Sequence, residues 1–209
     1  MPRATPLPPD ERRAAIVAAT LPLLVRHGRD VSTRQIAEAA GVAEGTIFRV
    51  FETKDVLIDA TLDDVFDPSS TCTELLAIDA SQSLEQRMTA VVTVLQQRMA
   101  TVFGVFHALR LAPRPAPDHL ARQRHDESLI GAAIEAVLEP DRHRLGVDLG
   151  VAAALLRTFT FAVTHPMLSQ LPHDQPELVV DLLLHGMQVH PDPTDAITTD
   201  RRTTCSSVS

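Results

Sequence analysis

Residues 31–57 have the sequence VSTRQIAEAAGVAEGTIFRVFETKDVL, in which a glycine separates two short stretches with helical spacing. Ser32 followed three residues later by Gln35 forms the sequence pattern of a capping box, which marks the start of a helix. Gly41 tolerates the positive φ with which helices commonly end. The pattern predicts a helix of about two turns that ends in a tight glycine turn.

A second short helix is predicted after this turn. Ile47, Val50 and Phe51 recur at helical spacing, so they occupy one side of it and can pack against the preceding helices. Two short helices joined by a glycine-containing turn form a helix-turn-helix, and the second helix then has the width of the DNA major groove. The opposite side, predicted to face outward, carries Ala43, Glu44, Thr46, Phe48 and Arg49.

The residues on the outward side have the chemistry needed for contacts with base pairs. Arg49 can donate two hydrogen bonds to guanine or to a phosphate, and Thr46 offers a hydroxyl and a methyl group. Phe48 can contact a thymine methyl group, whereas Gly45 allows close approach of the backbone. The predicted base contacts are Glu44, Gly45, Thr46, Phe48 and Arg49.

Charge is distributed unevenly along the 209 residues, whose net charge is −8. Residues 1–60 carry seven Arg and one Lys against eight acidic residues, and residues 61–209 carry eleven Arg against nineteen acidic residues. Affinity for phosphate depends on local charge and not on the sum, so contact with nucleic acid is expected only in the N-terminal segment.

The rest of the chain is also expected to be helical, because apolar residues recur at spacings of three and four and no hairpin signal is present. We predict an all-α protein in which a helix over 10–27 bends at Pro22 and the helix starting at Lys54 ends near Phe66. A polar interval follows, and a break or a bend is expected at Gly104 in the next helix. The other predicted helices span about 83–111, 118–138, 148–165 and 176–190.

Four segments are predicted along the chain. They are a flexible N-terminus over 1–9, a DNA-binding domain over 10–54, a helical regulatory and dimerisation domain over 55–190, and a disordered tail over 191–209. The two cysteines, Cys72 and Cys205, suggest neither a disulfide framework nor a zinc site. No run approaches the 18 to 20 apolar residues of a membrane span, and no signal peptide is seen, so a cytoplasmic location is expected.

Residues 10–60 resemble the DNA-binding segment of TetR/AcrR-type bacterial transcriptional regulators. The resemblance rests on residues 31–57 together with the preceding HGRD, and it covers about a quarter of the chain. Phe48 stands where the family usually has a tyrosine whose hydroxyl reaches a phosphate, and Ala43 stands where a serine-like cap is usual. The resemblance implies phosphate contacts from Thr33, Arg34 and Lys54.

The resemblance also implies a homodimer that binds a two-fold symmetric operator in double-stranded DNA. The last two predicted helices are apolar around more of their circumference than one buried face requires, so we expect dimerisation through them; the alternative is that they form the buried centre of the domain. Members of the family commonly bind a small effector in this domain. The residues expected to line such a pocket, for an apolar effector of unknown identity, are Met88, Met99, Phe103, Phe106, His107 and Phe159, although such a stripe can equally be core.

Two other functional classes compete with a DNA-binding regulator. An enzyme is disfavoured because the sequence has no HExxH, GxSxG or phosphate-binding loop pattern, and no cofactor or metal site is expected. A helical adaptor, whose helix-turn-helix contacts protein and not DNA, stays open because Glu44 is acidic and the segment has little positive charge. Steep salt dependence of binding would favour DNA over the adaptor.

Overall fold

The computed structural model describes residues 8–110, 117–169 and 175–185, with the backbone alone described for 117–124. These ranges contain α-helices and short 3-10 turns and no strand, so the all-α prediction is confirmed. One 3-10 turn, Gly28–Asp30, follows the first helix, and another, Glu139–Arg144, follows the seventh. The helices are α1 Pro9–His27, α2 Thr33–Ala40, α3 Glu44–Val50, α4 Lys54–Phe66, α5 Ser69–Leu76, α6 Leu84–Leu109, α7 Pro117–Leu138, α8 Leu149–Thr164 and α9 Pro176–His185.

The N-terminal core is formed by α1 to α4 together with the C-terminal end of α6. Pro22 lies inside α1, which continues past it. Residues from α4 are buried with those of α1 to α3, so α4 packs as part of the N-terminal unit. The predicted domain boundary after residue 54 stays a prediction. The buried apolar residues of this core are Ile16, Val17, Leu24, Val31, Ile36, Ala37, Ile47, Phe51, Leu57, Ile58, Val65, Val105 and Leu109.

The central helix of the fold is α6, which contacts α1, α4, α5, α7, α8 and α9. Of the break or bend predicted at Gly104, the break does not occur, because α6 is continuous from Leu84 to Leu109. A Cβ at Gly104 would lie 3.6 Å from the Val25 side chain of α1, so this glycine sits where the two helices approach each other. By length and composition α6 could cross a membrane. Its apolar residues are instead used in both protein cores.

The second core lies among α5 to α9. The predicted polar interval after α4 is wrong in part, since α5 occupies Ser69–Leu76 and buries Thr71 and Leu75. The Ser69 backbone N–H donates to the Asp67 carboxylate over 2.8 Å, which helps to start this helix. A helix this short shows too few apolar positions for a clear period, and its formation depends on packing against α6 and α7.

A buried ion pair holds the N-terminal end of α6 to the turn Glu139–Arg144. Arg87 is 1% exposed, and its guanidinium donates to the Ala80 carbonyl oxygen over 2.9 Å and to the Asp141 carboxylate. Arg144 also donates to Asp141 and to Glu85, each over 3.2 Å. This network anchors the 3-10 turn, which continues the helical backbone past the end of α7 at Leu138.

Four predicted segments extend beyond the described ranges, one of them the helix predicted over 83–111, whose residue 111 lies outside them. The tail over 191–209, including Cys205, and residues 186–190 of the last predicted helix lie outside them, as do residues 1–7 of the predicted flexible N-terminus. Pro9, placed in that N-terminus by the sequence reasoning, is the first residue of α1. A proline is well suited to this position, because its missing N–H would have no helical partner there.

Candidate nucleic-acid interface

The start and the end of α2 follow from local sequence. The Ser32 hydroxyl accepts a hydrogen bond from the Gln35 N–H over 3.2 Å, and the Gln35 side chain accepts one from the Ser32 N–H over 2.9 Å. Gly41 ends the helix in the left-handed region, at φ 66° and ψ 29°. The predicted capping box and glycine turn are confirmed, and together they fix where α3 begins.

The two sides of α3 differ as the spacing predicts. Ile47 and Phe51 are 0% and 1% exposed and lie in the N-terminal core, with Val50 partly buried beside them. Phe48 is 50% exposed, and Arg49 is also exposed. The other outward residues are the exposed Ala43, Glu44 and Gly45 and the half-buried Thr46.

Lys54 lies at the first position of α4, where the Thr53 hydroxyl caps the helix by accepting from the Val56 N–H over 3.2 Å. The Lys54 ammonium donates to the carbonyl oxygens of Arg29 and Val31 over 2.8 and 3.2 Å. An ammonium has three protons, so two are used within the protein and a third remains for another acceptor. The same bonds tie the start of α4 to the chain that leads into α2.

Thr33 and Glu44 contact each other across the helix-turn-helix. The Thr33 hydroxyl donates to the Glu44 carboxylate over 2.5 Å, which joins the first residue of α2 to the first residue of α3. Arg34, the next residue of α2, is exposed. Local sequence patterns did not reveal the bond, because its two residues are eleven positions apart and come together only through the turn.

Two further cations lie around this unit. Arg13 of α1 has its guanidinium carbon 4.4 Å from the centre of the Phe51 ring, a cation–π contact at the end of α3. Arg29 pairs with Asp55 over 3.6 Å, with both side chains largely exposed. An exposed pair of this kind stabilises the fold by at most about 1 kcal/mol. Neither position was singled out by sequence, since both depend on contacts between helices.

The other end of α4 is held by α6. Arg98 donates to the Phe66 and Asp67 carbonyl oxygens over 2.9 and 3.0 Å and to the Thr71 hydroxyl over 3.2 Å. Burial lowers the pKa of Arg98, while nearby Asp126 opposes the change. Hydrogen bonds from Ser69 lower the pKa of Asp67. Arg98 therefore satisfies carbonyl groups at the end of α4, which otherwise have no partner within the helix.

The six residues predicted to line an effector pocket are not brought together. Met88 and Phe106 are eighteen positions apart on α6, about 27 Å along a helix, so one small cavity cannot include both. Phe106 instead contacts Phe66 at 5.7 Å between ring centres. Met88 is buried in the second core, among α5 to α9, and Phe159 packs against that core. Met99 is partly buried, and His107 is exposed.

Phe103 lies in an aromatic cluster that the sequence analysis did not identify. Its ring centre is 4.9 Å from His165 and 5.9 Å from Phe161. Elsewhere, an open pocket of about 310 Å³ lies between α7 and α8. None of the six predicted residues lines it. Its walls are formed by Glu127, Ser128, Gly131, Glu135, Gly150, Ala153, Ala154 and Arg157.

An apolar face of α8 is exposed in the single chain. Val151, Leu155 and Phe161 are each 41% to 51% exposed. With the exposed Ala154 and Thr158 they recur at spacings of three and four, and so share one side of the helix. The opposite side of α8 buries Ala153, Leu156 and Val163, so this helix is apolar around most of its circumference.

Comparisons with known proteins agree with this geometry. Residues 16–61 match the sequence model of the family described as bacterial regulatory proteins, tetR family. A TetR transcriptional regulator from Streptomyces coelicolor is 22% identical, with 84% of this chain and 98% of that chain covered and a TM-score of 0.56. A TetR/AcrR family regulator from Thermobifida fusca is 20% identical, with 86% and 100% covered and a TM-score of 0.54. The resemblance predicted from residues 10–60 is thereby confirmed, and the structural likeness extends the shared fold beyond the matched segment.

Proposed function

We propose that this chain regulates transcription by binding an operator through α3, because residues 16–61 match the tetR family model and the fold resembles that of a TetR transcriptional regulator. The observation that carries the proposal is the exposed side of α3. There Arg49 and Phe48 project from a helix whose other side is fixed in the core. Guanidinium and apolar groups are those that distinguish guanine and thymine in the major groove.

Phosphate contacts from Arg34 and Lys54 would position α3 on the duplex. Lys54 supports this role because its ammonium is held by two carbonyl groups and keeps one proton for an outside acceptor. A cation held in place loses less side-chain freedom when it meets a phosphate than a mobile one does. Thr33 is the third proposed phosphate contact. Glu44, Gly45 and Thr46 complete the proposed base contacts.

A two-fold operator requires two copies of α3, and α8 offers a surface on which two copies of the chain can pair. The exposed apolar face of Val151, Leu155 and Phe161 supports the part of α8 in the proposed dimerisation through α8 and α9. Burying it against the same face of a second copy would remove apolar surface from water on both sides. In a dimer, the α3 helices would enter successive major grooves about 34 Å apart.

We further propose that the chain acts as a repressor in the cytoplasm and that a small, predominantly apolar effector weakens operator binding. A tenfold loss of operator affinity requires the effector to bind the DNA-free form about tenfold more tightly than the DNA-bound form. This ratio corresponds to a coupling free energy of about 1.4 kcal/mol. Arg98 joins α6 to the end of α4, and α4 carries Lys54, so a shift of α6 can reach the DNA contacts through these bonds. Within the predicted effector set, Phe103 is the strongest candidate because it belongs to an aromatic cluster beside α8.

The test of DNA binding is enrichment of fragmented genomic DNA on the purified chain at two salt concentrations, followed by sequencing of the bound fragments. A regulator enriches a short inverted repeat, more selectively at higher salt because non-specific binding weakens steeply. A chain that enriches no sequence at either salt is not an operator-binding protein, and the adaptor alternative would then take its place.

Dimerisation is tested separately by sedimentation. Leu155→Glu places a charge on the exposed apolar face and is expected to convert dimers to monomers, because burying an unpaired carboxylate is costly. Ala18→Glu, at an exposed position of α1, is the matched control and should leave the dimer intact. Equal behaviour of the two variants would remove α8 from the interface.

A further inference from the structure

Glu44 is an acidic residue on the side of the protein that is proposed to meet a polyanion. Its carboxylate accepts a hydrogen bond from the Thr33 hydroxyl over 2.5 Å, so the position of the carboxylate is defined by a specific contact. Thr33 is half-buried at the start of α2, next to the exposed Arg34. The acid therefore lies among the proposed phosphate contacts.

The Thr33 hydroxyl has a single proton to donate. While that proton is bonded to Glu44, it cannot be donated to a phosphate oxygen, which itself accepts and does not donate. A phosphate contact by Thr33 thus requires the bond to Glu44 to break. Once broken, it leaves a carboxylate near the DNA backbone, where like charges repel each other.

We infer that Glu44 is a specificity-determining residue that opposes binding to arbitrary DNA by withholding the Thr33 hydroxyl and repelling phosphate. The inference rests on the proposed function. On a sequence that presents a cytosine amino group to α3, the released carboxylate gains a hydrogen-bond donor, and the penalty is offset. On other sequences the penalty remains, so Glu44 raises the ratio of operator to non-specific affinity.

The geometry distinguishes this role from a purely attractive base contact. An attractive contact predicts weaker binding when Glu44 is removed, and no dependence on Thr33. If the bond to Glu44 keeps the Thr33 hydroxyl from phosphate, removal of Glu44 should tighten binding to random DNA. This role also predicts that the Thr33 hydroxyl contributes to DNA affinity only after the carboxylate has gone, which is a coupling between two residues that a double-mutant cycle measures.

The experiment measures affinity of the full chain for a random-sequence duplex with Glu44→Ala, Thr33→Val and both changes together. Thr33→Val alone is expected to change affinity less than about twofold. In the Glu44→Ala background the same change is expected to weaken binding about threefold to tenfold, the usual range for one hydrogen bond. Glu44→Ala by itself should tighten binding to the random duplex, by about tenfold at low salt.

Glu38→Ala is the matched control, since it removes the same charge from an exposed position of α2, whereas the Thr33 hydroxyl donates to Glu44. It should tighten binding less than about twofold. Thermal unfolding of all variants shows whether Glu44 is merely a structural link between α2 and α3. A purely structural role would lower the melting temperature and weaken binding to all DNA, contrary to the inference.

An equal effect of Thr33→Val in both backgrounds would also overturn the inference while leaving the proposed function in place. Salt-independent or absent DNA binding by the wild-type chain and by every variant would overturn the proposed function itself. The two failures are therefore distinguishable in one set of titrations.

Discussion

Removing the Lys54 ammonium is expected to change both the stability of the N-terminal unit and the salt dependence of DNA binding. The ammonium donates to the carbonyl oxygens of Arg29 and Val31 over 2.8 and 3.2 Å. Lys54→Ala removes these two bonds from a partly exposed position. We expect the free energy of unfolding to fall by about 1 to 2 kcal/mol, a cost that should leave the chain folded.

The effect on DNA follows from counting cations. With Arg34 and Lys54 each neutralising one phosphate, a dimer makes four such contacts, and tripling the salt should weaken binding about 50-fold. Lys54→Ala leaves two contacts in the dimer, for which the same change in salt should weaken binding only about sevenfold. The two slopes in a plot of log affinity against log salt should therefore differ by about 1.8.

Fluorescence anisotropy titrations of a labelled duplex over a series of salt concentrations measure both slopes. Lys54→Arg is the matched control, because it keeps the positive charge and should keep the wild-type slope. Chemical denaturation verifies that every variant is folded under the conditions of the titration. If Lys54→Ala and the wild-type chain show the same slope, Lys54 does not contact phosphate and the interface proposed around α4 is wrong.

Three other predictions concern single residues. Arg49→Ala should reduce the difference in binding free energy between operator and random DNA by about 1 to 3 kcal/mol, measured by competition titration. An equal loss of affinity on both duplexes would contradict base recognition. Arg87→Ala should lower the free energy of unfolding by about 3 kcal/mol, since it removes a buried cation paired with Asp141. Arg142→Ala, at an exposed ion pair, should lower it by less than about 1 kcal/mol. Similar losses for the two variants in denaturant titrations would contradict this prediction. Gly28→Ala should destabilise the fold by more than about 2 kcal/mol, because Gly28 has a φ of 59° and an added Cβ would lie 2.7 Å from the Ala108 carbonyl oxygen. Gly45→Ala is the control and should not lower the melting temperature, because a Cβ added there would meet open space.

Features specified by residues close in sequence were predicted correctly. Ser32 with Gln35 sets the start of α2 and Gly41 sets its end, through bonds spanning a few residues. The spacing of Ile47 and Phe51 placed one side of α3 in the core. Such signals depend on the chain alone, so they can be recognised before any tertiary contact is known.

Features that depend on distant residues were missed. Gly104 was expected to break or bend α6, but the helix continues past it, and the small residue allows close approach to Val25. The pair of Arg87 and Asp141 joins positions 54 residues apart. The bond between Thr33 and Glu44 was also missed, because nothing in the local pattern specifies how α2 and α3 meet. The fold was therefore more predictable than the contacts that tune the site.

Directed cleavage of DNA from α3 tests the central claim most directly. A DNA-cleaving reagent attached through Ala43→Cys, in a chain whose Cys72 and Cys205 are replaced by serine, would lie at the exposed N-cap of α3, outside the proposed base contacts. We predict cuts in two clusters about one helical turn apart, symmetric about the centre of the enriched repeat. The same reagent at Ala136→Cys, an exposed position of α7, should leave the repeat uncut. Cuts scattered along the fragment, or equal cutting from both positions, would contradict the claim that α3 enters the major groove.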